Sequence, residues 1–206
     1  MPEATPLRFL ALGDSYTIGE GVPPAASWPM QLAARLRDAG IAIDEPRIIA
    51  TTGWTTDELS AAMDAADPRG PFDLVSLGIG VNNQYRGRGL DEYARQFQGL
   101  LERAIALAGG QPCRVFVPSI PDWGGTPFAF AQGADAACIG QRIDAFNLAA
   151  RAMCADHGVA FVDVTGISRE PRDAGDWLTD DGLHPSAAQY AHWAQALLPV
   201  VLGSVA

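Results

Sequence analysis

The sequence predicts an α/β protein in which a parallel sheet of about five strands is covered by helices on both faces. Short apolar segments alternate with helical patterns five times along the chain, which is the element order of a parallel sheet with crossover helices. The apolar segments do not alternate with polar residues, as expected for strands that are buried on both faces. No linker, internal repeat or low-complexity tract divides the 206 residues, so one domain over 1–206 is expected.

Each strand candidate is a short apolar run that precedes a helix candidate. The runs lie at 9–12, 47–50, 72–77, 114–117 and 159–162. After the first run, Ser27 can cap a helix that ends near Gly40. After the second, Thr56 can cap a short helix that Pro68 stops. After the third, residues 91–108 carry their apolar side chains on one stripe, which indicates a helix with one buried face.

A loop and a long helix separate the last two strand candidates. The loop at 119–135 is rich in glycine, proline and aromatic residues, and its glycines would let it move as a wall or lid. The long helix shows apolar residues at helical spacing over 139–153, and a last helix is predicted at 186–202. Ligands of such sheets bind beyond the carboxyl ends of the strands. The residues that directly follow strands are therefore the candidates for a functional site.

Charge and composition exclude several functions. The chain has 24 acidic residues against 14 basic ones, all of them arginine, for a net charge of −10. Without lysine there is no Schiff-base lysine and no Walker-type phosphate loop. An acidic chain repels the phosphate backbone, so no nucleic-acid partner is expected. No apolar run reaches the roughly 18 residues of a membrane span, so stable membrane insertion is not expected.

No metal or cofactor is expected either. The three cysteines, which we expect to be reduced and mostly buried, fit no zinc-binding spacing, and there is no HExxH motif. The N-terminus has no basic start followed by an apolar stretch. A cytoplasmic protein is therefore expected, unless a leader is missing from the sequence. The oligomeric state is left open.

Four short polar segments lie at the ends of predicted elements and together could carry out acyl transfer. Ser15, Gly53 and Asn82 lie in the segments that follow the first, second and third strands, whereas Asp181 and His184 precede the last helix. A serine can attack an acyl carbon, a histidine can take its proton, and a carboxylate can orient that histidine. A close-approach glycine and an asparagine amide can donate hydrogen bonds to the oxyanion.

At these residues the sequence resembles the SGNH hydrolases, also called GDSL esterases and lipases. All four blocks that define the family occur in order, as Gly13-Asp14-Ser15, Gly53, Gly80-Val81-Asn82-Asn83 and Asp181-Gly182-Leu183-His184. Tyr16 replaces the eponymous leucine, and Asn83 stands where aspartate is frequent. The resemblance covers about residues 9–190 and implies a flavodoxin-like three-layer α/β/α sandwich.

The resemblance also implies a role for each matching residue. Ser15 would be the nucleophile, His184 the base that later protonates the leaving group, and Asp181 the orienting acid. The backbone N–H groups of Ser15 and Gly53 and the side-chain amide of Asn82 would form the oxyanion hole. The substrate would be a small-molecule carboxylic ester with a short or medium acyl chain or an acetyl group.

Aromatic residues in the loops after the strands are candidates for the walls of a substrate pocket. They are Trp54, Tyr85, Trp123, Phe128 and Phe130. The same catalytic residues would serve a carbohydrate acetylesterase or an acyltransferase, and the sequence does not separate these activities from simple ester hydrolysis. A non-catalytic flavodoxin-like binding module is a weaker alternative, because no glycine-rich phosphate loop opens a helix.

Overall fold

The computed structural model describes residues 5–170 and 174–205, and its centre is a five-stranded sheet. The strands are β1 (Phe9–Asp14), β2 (Arg47–Thr51), β3 (Leu74–Gly78), β4 (Val115–Pro118) and β5 (Ala160–Val162). They lie in the order β2-β1-β3-β4-β5, and every neighbouring pair is parallel. This is the flavodoxin-like order of a doubly wound sheet, so the predicted fold class is confirmed.

Long helices connect the strands, and short helices begin at several strand ends. The α-helices are α1 (Ser15–Ile18), α2 (Trp28–Asp38), α3 (Thr56–Ala66), α4 (Val81–Tyr85), α5 (Leu90–Leu107), α6 (Pro127–Ala131), α7 (Ala136–His157), α8 (Thr165–Ser168), α9 (Ala174–Trp177) and α10 (Ala187–Val205). The five helices that periodicity predicts are α2, α3, α5, α7 and α10. The others have only four or five residues, too few for an apolar period to show.

The direction of the crossovers divides the helices into two outer layers. The connection from β1 to β2 runs one way along the sheet, and the connections to β3, β4 and β5 run the other way. Since such crossovers are right-handed, α2 lies on one face and α3, α5 and α7 lie on the opposite face. Accordingly, α10 packs against α2, and α5 packs against both α3 and α7.

Aromatic side chains fill the core on both faces of the sheet. On the α2 side, the Phe9 and Phe116 rings lie 5.8 Å apart, and each also contacts the buried Trp28 ring. On the opposite side, the rings of Tyr93 and Phe146 stack with centroids 4.6 Å apart. All six residues of β1 are buried. The absence of polar alternation in this strand therefore follows from its interior position in the sheet, where helices cover both faces.

The start of α3 differs by one residue from the prediction. Thr55, not Thr56, is the N-cap residue, and its backbone N–H donates to Glu58 Oε2 at 2.9 Å. This is half of a capping box, in which the glutamate at the third helical position satisfies the N–H of the cap. Glu58 is thereby held at the end of the helix that faces the carboxyl edge of the sheet.

Gly80 sets the start of α4 at the same edge of the sheet. It is the N-cap residue of α4 and has φ +129°, a conformation that side chains rarely adopt. A Cβ atom at Gly80 would lie 2.5 Å from Tyr93 Cε2 and 2.9 Å from Ile120 Cδ1. The backbone can therefore turn from β3 into α4 beside these two side chains only where the residue is glycine.

Two further observations concern surface properties. Cys113 and Cys138 are exposed and only Cys154 is buried, so the expectation of mostly buried thiols is wrong for two of the three. The two exposed thiols lie in surface turns, just before β4 and in the first turn of α7. Within 5–170 and 174–205, none of the helices combines the length and apolar character needed to cross a membrane.

Substituting two glycines with alanine should change stability in opposite directions. Gly80→Ala should destabilise the protein by about 1–3 kcal/mol, because its Cβ overlaps the core and its φ is strained. Gly99→Ala, within α5, meets no atom within 4 Å and should stabilise by roughly 0.5–1 kcal/mol. Urea unfolding of both variants beside the wild type measures the difference. Equal effects of the two substitutions would contradict the role assigned to Gly80.

Candidate active site

Three side chains form one hydrogen-bonded row at the carboxyl end of the sheet. His184 Nε2 lies 3.0 Å from Ser15 Oγ, and His184 Nδ1 lies 2.6 Å from Asp181 Oδ2. Ser15 and His184 are buried, whereas Asp181 is exposed on one side. When Nδ1 donates its proton to the carboxylate, Nε2 of the neutral ring is left to accept the serine hydroxyl proton. The structure thus brings together the three residues that the sequence singled out as a catalytic set.

The loop that carries Asp181 and His184 is closed by its own hydrogen bonds. Asp181 Oδ1 accepts the backbone N–H groups of Leu183 at 2.8 Å and His184 at 3.0 Å. The hydroxyl of Thr179 donates to the same oxygen at 2.7 Å, and the Thr179 N–H donates to the His184 carbonyl. No motif in the sequence points to Thr179. Its position two residues before a carboxylate is the only signal, and many surface loops share it.

These bonds determine the charge of Asp181. Partial burial raises the pKa of this carboxyl, but the hydrogen bonds from the His184 ring and backbone, from Thr179 and from Leu183 outweigh it and lower the pKa to about 2. Asp181 is therefore ionised at neutral and mildly acidic pH. A protonated His184 would have a carboxylate partner throughout that range.

Asp14, the neighbour of Ser15, is in the opposite situation. It is buried at the start of α1, where its Oδ1 accepts the Tyr16 N–H at 3.1 Å and caps the helix. Burial raises the pKa of Asp14 to about 7, against the opposing effect of hydrogen bonds from backbone N–H groups. The aspartate of the first motif thus acts on the backbone that presents Ser15.

Tyr16 occupies the position where the family name has leucine. Its ring centroid lies 5.0 Å from that of His184 on one side. Its ring also stacks on Trp193 of α10, with centroids 6.3 Å apart. The larger ring therefore links the His184 imidazole to the C-terminal helix by packing.

The turn after β2 contains Gly53. The N–H of Trp54 donates to the Thr51 carbonyl at 3.3 Å, and Gly53 has φ +84°. A positive φ at the third position is the requirement of a type II turn, which glycine meets without strain. The Gly53 carbonyl accepts a hydrogen bond of 2.6 Å from Arg86 Nη2. No motif in the sequence points to this arginine, because the five residues of α4 are too few to show a helical period on which its spacing could be counted.

Asn82 lies opposite this turn, on α4. Its Nδ2 donates to the Trp54 carbonyl at 3.0 Å. A side-chain amide has two N–H donors, so one bond to the turn leaves a second for the cleft that Asn82 lines. Asn83, next to it, is buried and bonds the backbone and hydroxyl of Thr56. The two asparagines therefore differ in role: Asn82 faces the cleft and Asn83 anchors α4 to α3.

A cleft of about 120 Å³ opens beside Ser15. It is lined by Ser15, Tyr16, Thr52, Gly53, Val81, Asn82, Tyr85, Trp123, Phe128, Leu183 and His184. Three of the predicted wall residues form an aromatic cluster there, with the Tyr85 ring 5.3 Å from Trp123 and 6.3 Å from Phe128. Trp123 is fixed by a hydrogen bond of 2.7 Å from its Nε1 to Gln84 Oε1.

Two of the predicted wall residues do not line this cleft. Trp54 is half-buried and packs against the hydrophobic core, so only its carbonyl takes part, through Asn82. Phe130 is 87% exposed, because it lies on the outer side of the short α6. The expectation that both side chains form pocket walls is therefore not met.

The loop after β4 is tied to its neighbours at several points. The Ile120 N–H donates to Asn147 Oδ1 at 2.8 Å, and the Asp122 N–H donates to Ser168 Oγ at 2.8 Å. The Asp122 carboxylate also pairs with Arg169 at 2.8 Å. These contacts hold the first part of the segment that the glycine content suggested could move.

The other two histidines lie away from the row. His157, at the end of α7, contacts the Met153 carbonyl through Nδ1 at 2.9 Å. His192, on α10, packs edge-on against Trp177. Among the residues that the structure describes, no group of three or more His, Cys, Asp or Glu side chains is arranged to hold a metal ion.

The pKa of Asp14 predicts how stability depends on pH. The folded-state pKa of about 7 lies above the ordinary value of 3.8, so the stability that protonated Asp14 contributes is present below about pH 4 and is lost as pH rises to 7. Asp14→Asn keeps an acceptor for the Tyr16 N–H and does not ionise. The free energy of unfolding of Asp14→Asn relative to that of the wild type should therefore rise between about pH 4 and 7, by up to about 1.4 kcal/mol per pH unit, and then level off.

Unfolding midpoints of the wild type and Asp14→Asn between pH 4 and 9 test this dependence on pH. A difference in midpoint that stays constant with pH would mean that Asp14 ionises equally well in the folded and unfolded chain.

Comparison with known proteins gives the family and the fold. The model of the GDSL-like Lipase/Acylhydrolase family matches residues 11–192. The crystal structure of TesA is 20% identical, covers 96% of this chain and 99% of its own, and has a TM-score of 0.73. The lipase/acylhydrolase from Enterococcus faecalis is also 20% identical, covers 96% of each chain and has a TM-score of 0.68.

A third similar structure is a variant of Axe2, an acetyl xylan esterase from Geobacillus stearothermophilus. It is 19% identical, covers 95% of this chain and 94% of its own, and has a TM-score of 0.70. No curated protein is significantly similar in sequence. The structural likenesses establish the fold, and the family match covers most of the chain, so the alternative of a non-catalytic binding module is set aside. The chain belongs to the GDSL-like lipase/acylhydrolase family, the SGNH hydrolases, and is a serine-type acyl ester hydrolase.

Proposed function

We propose that the protein hydrolyses small, uncharged esters of short-chain carboxylic acids through a covalent acyl-enzyme on Ser15. The observation that carries the proposal is the row Ser15–His184–Asp181 at the side of a small, largely apolar cleft. A nucleophile, a base and an orienting carboxylate in hydrogen-bond contact are what serine-based acyl transfer requires.

The reaction proceeds in two steps, the acylation of Ser15 and the hydrolysis of the acyl-enzyme. Ser15 Oγ attacks the ester carbonyl carbon while His184 Nε2 takes the hydroxyl proton, which gives a tetrahedral oxyanion. The bond to the alcohol oxygen then breaks, and His184 returns its proton to the departing alcohol. A water molecule repeats the sequence on the acyl-enzyme, which releases the carboxylic acid and restores the Ser15 hydroxyl.

Two features would lower the barriers of these steps. The ionised Asp181 stabilises the imidazolium that forms on His184, because its low pKa keeps the negative charge in place. The N–H groups of Ser15 and Gly53 and the second N–H of the Asn82 amide would donate to the oxyanion. Donors that are already oriented in this way stabilise charge that develops only in the transition state.

The size and polarity of the cleft support a short acyl group. Its volume of about 120 Å³ is below the roughly 150 Å³ of a protein cavity known to hold benzene, which leaves room for a few carbon atoms. No arginine is among the residues described as lining it, and the Glu20 carboxylate accepts a hydrogen bond from the hydroxyl of Thr52, which does line it. The lining residues therefore offer no arginine to an anionic substrate, and Arg86 at the edge of the cleft is already paired with Glu58.

An acetylated carbohydrate is a second candidate substrate. It is favoured by the Tyr85 ring, which lines the cleft and yet is 48% exposed, as a ring that stacks on a sugar outside the acyl pocket would be. Acetate release from acetylated xylooligosaccharides, measured beside release from phenyl acetate, separates the two candidates. A higher kcat/KM on the sugar would assign the protein to carbohydrate deacetylation.

A fluorophosphonate tests the nucleophile directly. Because Ser15 Oγ contacts His184 Nε2, the wild type should gain the mass of one phosphonyl group in intact-mass spectrometry, and Ser15→Ala should gain none. The variant must retain the wild-type circular dichroism spectrum. A folded wild-type protein that takes up no reagent would contradict the proposed mechanism.

A series of nitrophenyl esters tests the acyl pocket. We expect kcat/KM to be highest for acyl chains of two to four carbons and to fall at least about tenfold by eight carbons, since the longer chain does not fit. Phe128→Ala enlarges the cleft and should shift the optimum to longer chains. Phe130→Ala, which removes an exposed ring on the same helix, is the matched control. A wild-type optimum at eight or more carbons would overturn the short-chain assignment.

A further inference from the structure

We propose that Arg86 is a positioning residue, whose guanidinium holds the Gly53 carbonyl and so keeps the Gly53 N–H in place for the oxyanion. This inference rests on the proposed function, in which Gly53 and Asn82 donate to the oxyanion. It concerns a residue outside the four motif blocks and at the edge of the cleft.

Gly53 has no side chain that could anchor it. The turn that contains it is closed by one hydrogen bond of 3.3 Å, and its first two residues, Thr51 and Thr52, are exposed. Glycine also has the widest backbone freedom of any residue. The position of its N–H therefore depends on contacts from outside the turn.

Besides the hydrogen bond from Thr52 to Glu20, these contacts come from Asn82 of α4 and from Arg86, the residue that follows α4 and caps its C-terminus. Asn82 donates to the Trp54 carbonyl at 3.0 Å, and Arg86 donates to the Gly53 carbonyl at 2.6 Å. Residues four apart lie on the same side of a helix, so the pair holds two consecutive carbonyls of the turn. As a result, two of the three proposed oxyanion donors, the Asn82 amide and the Gly53 N–H, are held in place relative to one short helix.

Arg86 is itself oriented by α3. Its Nη1 lies 3.2 Å from Glu58 Oε1, while Glu58 Oε2 accepts the N–H of the helix cap Thr55. The Arg86 and Glu58 side chains are 41% and 39% exposed. Exposed ion pairs contribute little to stability, whereas a short hydrogen bond from a charged donor is among the stronger ones. Loss of Arg86 should therefore affect the turn more than the fold.

The expected effect is on turnover rather than on substrate binding. A small displacement of a catalytic group can cost up to about a hundredfold in rate. Arg86→Ala should lower kcat by roughly tenfold to a hundredfold with little change in KM, less than the 10²–10³-fold expected when Asn82→Ala removes a donor outright. Arg86→Lys, which retains one charged donor, should recover part of the loss.

Arg88 provides a matched control two residues away. It pairs with Asp57 of α3 at 2.6 Å and with Glu92 at 3.3 Å, so Arg88→Ala also removes one arginine and a link to the start of α3. The experiment compares Arg86→Ala, Arg86→Lys and Arg88→Ala with the wild type. For each it measures kcat and KM on nitrophenyl acetate, the unfolding midpoint, and inhibition by phenylboronic acid, whose adduct on a serine mimics the tetrahedral oxyanion.

The expected result is that Arg86→Ala loses kcat/KM and boronate affinity by the same factor, while Arg88→Ala stays within about threefold of the wild type in both. Equal losses in the two alanine variants, or unchanged turnover in Arg86→Ala, would overturn the positioning role. A loss of turnover without a loss of boronate affinity would overturn it as well. Failure of the proposed function is a separate result, in which the folded wild type takes up no fluorophosphonate and cleaves no ester.

Discussion

The hydrogen bond between His184 Nε2 and Ser15 Oγ joins two segments that are 169 residues apart in the chain. Neither segment can bring about this contact by itself, because it requires that α10 pack against α2 and that β1 lie between β2 and β3 in the sheet. Tyr16 links the two segments, since its ring contacts the His184 ring and also stacks on Trp193 of α10. The row Ser15–His184–Asp181 is thus packed directly against the hydrophobic core on the α2 face of the sheet.

Each short helix at a strand end positions a different part of the site. Helix α1 presents Ser15 and is capped by the buried Asp14, and α4 with its C-cap residue places Asn82 and Arg86 at the turn that contains Gly53. The apolar walls come from Trp123 and α6, beyond β4. Each of these pieces begins at the carboxyl end of a strand, where a parallel sheet gathers the starts of its following segments. The charged groups, the hydrogen-bond donors and the apolar walls of the site therefore lie at one edge of the sheet, although they come from different segments of the chain.

The positions of the five strands along the chain and the Asp181–His184 pair can be predicted from the sequence, because apolar runs and a three-residue spacing are local patterns. The sequence does not reveal α4, whose five residues are too few for a period, and hence it does not reveal that Arg86 lies one turn after Asn82. The contact of Arg86 with a backbone carbonyl leaves no trace in any motif. Trp54 was expected in the pocket because it follows the correct strand, yet the turn directs its ring to the core. The raised pKa of Asp14 likewise follows from burial, which depends on packing that only the folded chain has.

The wide separation of Ser15 and His184 also has a consequence for synthesis. A ribosome adds roughly 5–20 residues per second, so Ser15 is made many seconds before its partner. During that interval the serine lacks the imidazole that would take its proton, and the nascent chain can fold its first strands without a reactive hydroxyl. In the proposed mechanism ester turnover needs His184 beside Ser15, and therefore a docked α10, so the appearance of activity would report that the last helix is in place.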